Sequence, residues 1–185
     1  MEFRDLRAEE IEVRVSRCNS WGVDLLLYKT SRTDAEILDE AVGAENWQCR
    51  FYEHKGTMFC SLGIRVTRDD GTEEWVWKDD AGAPSNMEAV KGEASDAFKR
   101  AAFKWGIGRC LYTAPEIFVH ASGKNGQKNL KSLQQNKSGK WQCYDSFRVA
   151  KIAIDGNRIT GIRIVNDSIV NDDGDGAIVF SWKEQ

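Results

Sequence analysis

Histidine is scarce in this chain: His54 and His120 are the only two among 185 residues. A Ser/His or Cys/His nucleophile needs an imidazole base held against it, so no hydrolase triad can be assembled. Cysteine occurs five times, at Cys18, Cys49, Cys60, Cys110 and Cys143, and never as a C-x-x-C pair. With no histidine at ligand spacing, a structural zinc motif is excluded and no metal site is expected. The odd, scattered count fits a reducing compartment better than a disulfide framework, and the thiols read as packing residues. No apolar run reaches the roughly 18 residues of a membrane-spanning helix. The first ten residues, MEFRDLRAEE, are charged, whereas a signal peptide needs an apolar stretch of about 7 to 15. A soluble, cytoplasmic protein without membrane contact is expected.

What is present suits a folded domain. Apolar residues make up 41 % and charged residues 30 %, enough for a core, and the length predicts one domain. The net charge of −3 conceals segregation: residues 1–90 hold 11 Lys/Arg and 19 Asp/Glu, residues 91–165 hold 14 and 5, and residues 166–185 hold 1 and 5. Clustered cations attract phosphates whatever the total charge, so the middle third points to a polyanionic partner. A solvated basic face is the plain alternative.

Periodicity outlines the elements. Residues 11–17 and 22–29 read as a β-hairpin. Thr33 with Glu36 has the form of a capping box opening a short helix, which Gly43 closes. Residues 47–54, 57–67 and 73–78 read as an antiparallel meander, turning at His54-Lys55-Gly56 and Asp69-Asp70-Gly71. Met58, Cys60, Leu62, Ile64 and Val66 alternate onto one face, which must pack against helices. Trp47, Trp75, Trp77 and Trp105 are expected in the core or at subunit interfaces, and core packing is the better reading of Tyr52 and Phe59.

A second capping box, Ser85 with Glu88, opens the longest helical pattern, which runs to about Trp105. Met87, Val90, Ala94, Ala97, Ala101 and Trp105 recur at steps of three or four and form the buried stripe, with Phe98 and Ala102 at its edge. Asp96, Lys99, Arg100, Phe103 and Lys104 fall on the other side as an exposed strip. Gly106-Ile107-Gly108 follows a helix instead of a strand, so it is a helix cap and not a dinucleotide fingerprint. Arg109 is placed near the carbonyl end.

Residues 122–140 contain five lysines and no acid, the composition of a mobile loop or fraying helix. Residues 146–154, 158–165 and 177–182 read as strands that build a second sheet or extend the first. Asp167, Asp172, Asp173 and Asp175 lie between them without the spacing of an EF-hand. The fold class is therefore α+β: a meander sheet packed against a short and a long helix, with a C-terminal β extension. The division expected is a core in residues 1–120, a lysine-rich mobile loop in 121–145 and strands of the same domain in 146–185.

The stretch from Glu88 to Tyr112, EAVKGEASDAFKRAAFKWGIGRCLY, resembles the phage and bacterial branch of the Rad52/Rad22-type family of single-strand DNA annealing proteins. Asp96, Lys99-Arg100-Ala101, Trp105-Gly106 and Gly108-Arg109 before Leu111-Tyr112 carry the likeness. Glu40 to Trp47 (EAVGAENW) and Asp70-Gly71 in the meander add to it, and the likeness covers roughly residues 10–120. The resemblance implies a β-β-α-β-β-β-α core, homo-oligomeric rings or filaments, and single-stranded DNA held by its phosphates with its bases exposed. It also implies a role in recombination and repair, phage-encoded in a bacterial host, with a host single-strand-binding protein as a further partner. No cofactor is implied and no bond is cleaved. The DNA-contacting pair of the family maps onto Lys99 and Arg100, and a further arginine onto Arg32. Phe103 stands where the eukaryotic relatives carry a basic residue, with Lys104 adjacent; Arg109 completes the candidate set.

Two other functions fit parts of the pattern. Glu73, Glu74, Asp79 and Asp80 around one strand are carboxylates of the kind that hold Mg²⁺ in a nuclease. A sheet with a basic helix also suits a plain RNA or single-strand DNA binding module without annealing.

Overall fold

A computed structural model describes residues 1–83, 89–123, 126–171 and 174–184, and the side chains of residues 89 and 90 lie outside the description. In chain order the strands and helices are β1 (Glu12–Asn19), β2 (Gly22–Tyr28), α1 (Ser31–Val42), β3 (Trp47–His54), β4 (Thr57–Thr67), β5 (Glu73–Ala81), α2 (Ala89–Trp105), β6 (Ile117–His120), β7 (Gln134–Gln135), β8 (Trp141–Gln142), β9 (Phe147–Asp155), β10 (Arg158–Val170) and β11 (Gly176–Lys183). The expected α+β class and its β-β-α-β-β-β-α order are present, and all strand pairs are antiparallel. No helix among the described residues is long and apolar enough to cross a membrane. The chain divides into two units: Met1–Asp5 with Lys29–Arg109, and Leu6–Tyr28 with Cys110–Gln185.

The first unit holds the meander β3-β4-β5 and both helices. Lys55 and Gly56 join β3 to β4 with φ of +52° and +75°, both positive as a two-residue hairpin turn of the right twist requires. The alternation on β4 buries Cys60, Leu62 and Ile64 completely, and α2 packs on that face along β4 and β5. Cys49 lies on the same face, and the neighbouring Cys60 thiol lowers its pKa. α1 begins two residues before the expected capping box: Thr30 is the N-cap, its Oγ1 accepting from Thr33 N–H at 3.4 Å. Thr33 itself is buried one turn inside, so the hydroxyl that caps is the one preceding the helix. Gly43 closes α1, its N–H donating to Asp39 O at 3.0 Å. The box expected at Ser85 and Glu88 lies outside the described residues, as does Met87.

The second unit is built on a six-stranded sheet in the order β11-β10-β9-β1-β2-β6. The strands of residues 146–183 therefore extend the N-terminal hairpin, with Glu12 opposite Arg148 where β1 meets β9. The edge strands β6 and β11 touch, so the sheet curls toward closure. Val23, Val119, Ile159, Ile164 and Val165 are almost wholly enclosed. The lysine-rich segment carries order that composition does not reveal. β7 and β8 pair as a small hairpin, and Leu130 is buried. Asp145 accepts from the N–H groups of Lys131 and Ser132, from Ser132 Oγ and from Asn166 Nδ2. Burial works against that carboxylate, but these donors hold its pKa below the usual range.

Candidate nucleic-acid interface

α2 positions the candidate residues. Ala97, Phe98, Ala101 and Ala102 are buried; their small size lets the helix axis lie close to the meander. Where β5 leads toward α2, the chain passes against the helix backbone: a Cβ on Gly82 would lie 2.0 Å from Glu93 O. Two α2 carboxylates fix this junction, Glu93 accepting from Met58 N–H at 2.8 Å and Asp96 from Ala83 N–H at 3.0 Å. The expected strip then follows on the outer side: Arg100 and Lys104 are exposed, Lys99 and Phe103 half-exposed.

None of the three cations stands alone. Lys99 Nζ is 3.8 Å from Asp96 Oδ1, and Asp80 on β5 lies 3.5 Å from both Arg100 Nε and Lys104 Nζ. Lys104 also donates to Asp79 O. At these separations the ion pairs are loose, and exposed pairs of this kind contribute at most about 1 kcal/mol. Asp80 is only 19 % exposed, and its second role is to accept from Ala81 N–H at 2.8 Å.

The C-terminal turn of α2 follows the expected capping. Gly106 has φ of +115°, and its N–H donates to Phe103 O at 3.0 Å. Arg109 Nε and Nη2 donate to the carbonyls of Phe103 and Lys104, each at 2.9 Å. Its guanidinium stands 5.5 Å from the centroid of the Phe103 ring. Arg109 thus caps the helix and stacks on Phe103. Trp105 departs from expectation: it is half-buried, its indole N–H donating to Leu62 O at 3.1 Å and the Lys78 ammonium lying 4.2 Å over its ring. Trp47, opposite Ile64 on the helix-facing side, is also half-buried and lies 5.9 Å from the Phe98 ring; Trp77 is half-buried and Trp75 and Tyr52 are exposed, because they sit on the other face of the meander. Tyr52 stacks on Phe59 at 5.4 Å and Arg50 sits 4.3 Å over Trp77.

Arg32 is exposed in the first turn of α1. Ser95 Oγ lies 3.2 Å from Ser31 Oγ, so the start of α1 meets α2 one turn before Lys99. Sequence reasoning missed what lies beneath this junction. Lys29 and Asp34 form an ion pair with 7 % and 0 % of their side chains exposed, and Asp34 Oδ2 is buried without a hydrogen-bond partner. Burial drives the Asp34 pKa up to about 6 against the attraction of Lys29 and, more weakly, of Lys99. Gly108, with φ of +68°, leaves room for Lys29: a Cβ there would lie 2.2 Å from Lys29 Cε. The Gly-x-Gly signal was visible in the sequence; its service to a buried lysine was not.

The carboxylates of the nuclease alternative do not converge. Glu73 faces Arg65 at 3.5 Å and Glu74 pairs with Arg68. Asp79 and Asp80 lie six residues along the same strand, roughly 20 Å away, and adjacent strand residues point to opposite faces. Asp79 accepts from Tyr52 OH at 3.2 Å. Each carboxylate is engaged by its own donor, which leaves no shared seat for a divalent cation.

A family model described as Rad52/22 family double-strand break repair protein matches residues 4–130. No curated protein matches the chain.

Proposed function

Because this chain belongs to the Rad52/22 family of double-strand break repair proteins, we propose that it binds single-stranded DNA and anneals complementary strands as a homo-oligomeric ring or filament, in the cytoplasm of a bacterial host. The observation that carries this reading is the row Lys99, Arg100 and Lys104 along the outer side of one helix, with Arg32 beside it at the start of α1. Phosphates engage such a row without occupying the pairing edges of the bases, which an annealing protein must leave free. The loose pairing with Asp80 and Asp96 suits reversible holding, since phosphate oxygens exchange readily with carboxylates 3.5–3.8 Å away. Phe103 and Arg109 frame the end of the row, and nothing in this chemistry makes or breaks a covalent bond. The annealing function is assigned to residues 1–120, with the lysines of 121–145 adding positive charge and 146–185 completing the fold.

The test is annealing of two complementary oligonucleotides, one precoated with protein, without ATP, over a salt series of about 50 to 200 mM. Acceleration that fades with salt and is lost in Lys99→Ala/Arg100→Ala supports the reading. Binding without acceleration leaves a single-strand-binding module, and a strong preference for RNA overturns the DNA assignment.

A further inference from the structure

The C-terminal sheet contains a pairing that its own stability does not explain. Lys151 on β9 and Arg163 on β10 stand directly opposite each other. Lys183 on β11, opposite Gly161, lies on the diagonal from Arg163. Like charges at opposed positions destabilise an antiparallel pair. The other arginines of β9 and β10 are neutralised: Arg148 pairs with Asp167 and Asp175, and Arg158 with Glu184 at 2.6 Å. Among the described residues, Lys151, Arg163 and Lys183 have no carboxylate within ion-pair distance. This contrasts with α2, where each cation of the strip has one.

The floor between the three is built from small residues, Ala153, Gly161 and Ser181, in a shallow cleft of about 400 Å³. Gly161 follows a register shift in the β9–β10 ladder, which runs from Ile159 to Gly161. It is absent from the positive-φ residues, and a Cβ there would make only ordinary contacts, 3.6 Å to Ala153 Cβ and 3.7 Å to Trp182 O. A strand glycine beside such a bulge keeps the floor between the three cations low. The opposite face carries Ile162 and Ile164, almost fully buried, so the cations project from a rigid support. The family match ends at residue 130 and does not account for this face.

We propose that the outer face of β9–β11 is a second phosphate-binding surface, which holds single-stranded DNA by its backbone through Lys151, Arg163 and Lys183 independently of the α2 strip. The inference rests on the reading of the protein as an annealing protein. Annealing gathers two strands, and unneutralised cations over a low floor match a phosphate backbone better than any uncharged partner.

Four proteins test it: the wild type, Lys99→Ala/Arg100→Ala, Lys151→Ala/Arg163→Ala/Lys183→Ala, and the combination of all five. Binding of a fluorescent oligothymidine of about thirty nucleotides is titrated across the same salt range, and annealing is measured in parallel. The triple variant is expected to fold as stably as the wild type or more so, because like-charge repulsion is relieved; urea unfolding reads this. Its salt slope falls by about 2, from three lost contacts at about 0.7 each, and annealing slows. The α2 double variant keeps a weaker, salt-dependent binding that the five-fold variant loses. A triple variant that folds but matches the wild type in affinity, slope and annealing overturns the proposal, as does a five-fold variant binding like the double. If the double binds like the wild type while the triple fails, the α2 assignment falls and the β9–β11 surface stands. A wild type that binds no oligonucleotide removes both.

Discussion

Asp80 governs how much positive charge α2 offers to an anion, because its carboxylate lies 3.5 Å from Arg100 Nε and from Lys104 Nζ. A DNA phosphate must displace it or share those cations with it. Asp80→Asn keeps the hydrogen bond to Ala81 N–H and removes the competing charge. Single-strand binding should tighten several-fold at about 50 mM salt, with a steeper salt slope; unchanged binding in a filter or fluorescence titration would show that Asp80 does not compete. Asp34 carries a different consequence. Its pKa is raised in the fold to about 6 from an ordinary 3.8, with burial as the main cause. The folded protein therefore takes up this proton before the unfolded chain does. The contribution of this group to stability is full below about pH 3.8 and is lost as pH rises through about 6. The unfolding free energy of the wild type minus that of Asp34→Asn, read by urea, should accordingly rise as pH falls from 7 to 4.5, because only the wild type gains the proton. A difference that falls instead would mean that Lys29, not burial, dominates the carboxylate.

At the scale of the element, α2 was readable in advance because its information is local: a 3.6-residue period of small apolar side chains defines the buried stripe, and the cations follow on the other side. The same locality explains the partial failure at Trp105. Its position in the repeat predicts burial, but the helix ends there, so the ring lies at the margin under the Lys78 ammonium. The glycines after the helix were legible as caps, whereas the reason for Gly108 lies in Lys29, 79 positions earlier in the chain. Gly108→Ala would force a Cβ into the left-handed region and against the lysine stem, displacing Lys29 from Asp34. The expected loss is about 1–3 kcal/mol in urea unfolding; a variant as stable as the wild type would show that Lys29 has another place to go. β6, four residues long, and the β7–β8 hairpin escaped sequence reading because two to four residues cannot display a period.

At the scale of the molecule, the unit comprising Leu6–Tyr28 and Cys110–Gln185 is assembled from the two ends of the chain. β1 pairs with β9 through Glu12 and Arg148. A chain ending at residue 130, the limit of the family match, retains β1, β2 and β6 but leaves β1 with an open edge and uncovers apolar surface. Such a chain should aggregate or unfold at lower urea than the full protein. A monodisperse species with an unchanged midpoint in size-exclusion and unfolding measurements would show that β9–β11 are dispensable for the fold.

The sequence by itself determined the longer strands and the two helices, the α+β class, the buried faces of β4 and α2 and the likeness carried by residues 88–112, since each is written in spacings within a single segment. Only the tertiary structure decided that the N-terminal hairpin joins the C-terminal strands and that Arg100 and Lys104 of α2 face Asp80. It alone buries Lys29 with Asp34 and leaves Lys151, Arg163 and Lys183 without a carboxylate within ion-pair distance among the described residues. Those outcomes depend on which strands pair and which side chains meet across distances of tens to more than a hundred residues. Local periodicity specifies which face of an element turns inward; it does not specify the partner that the face meets.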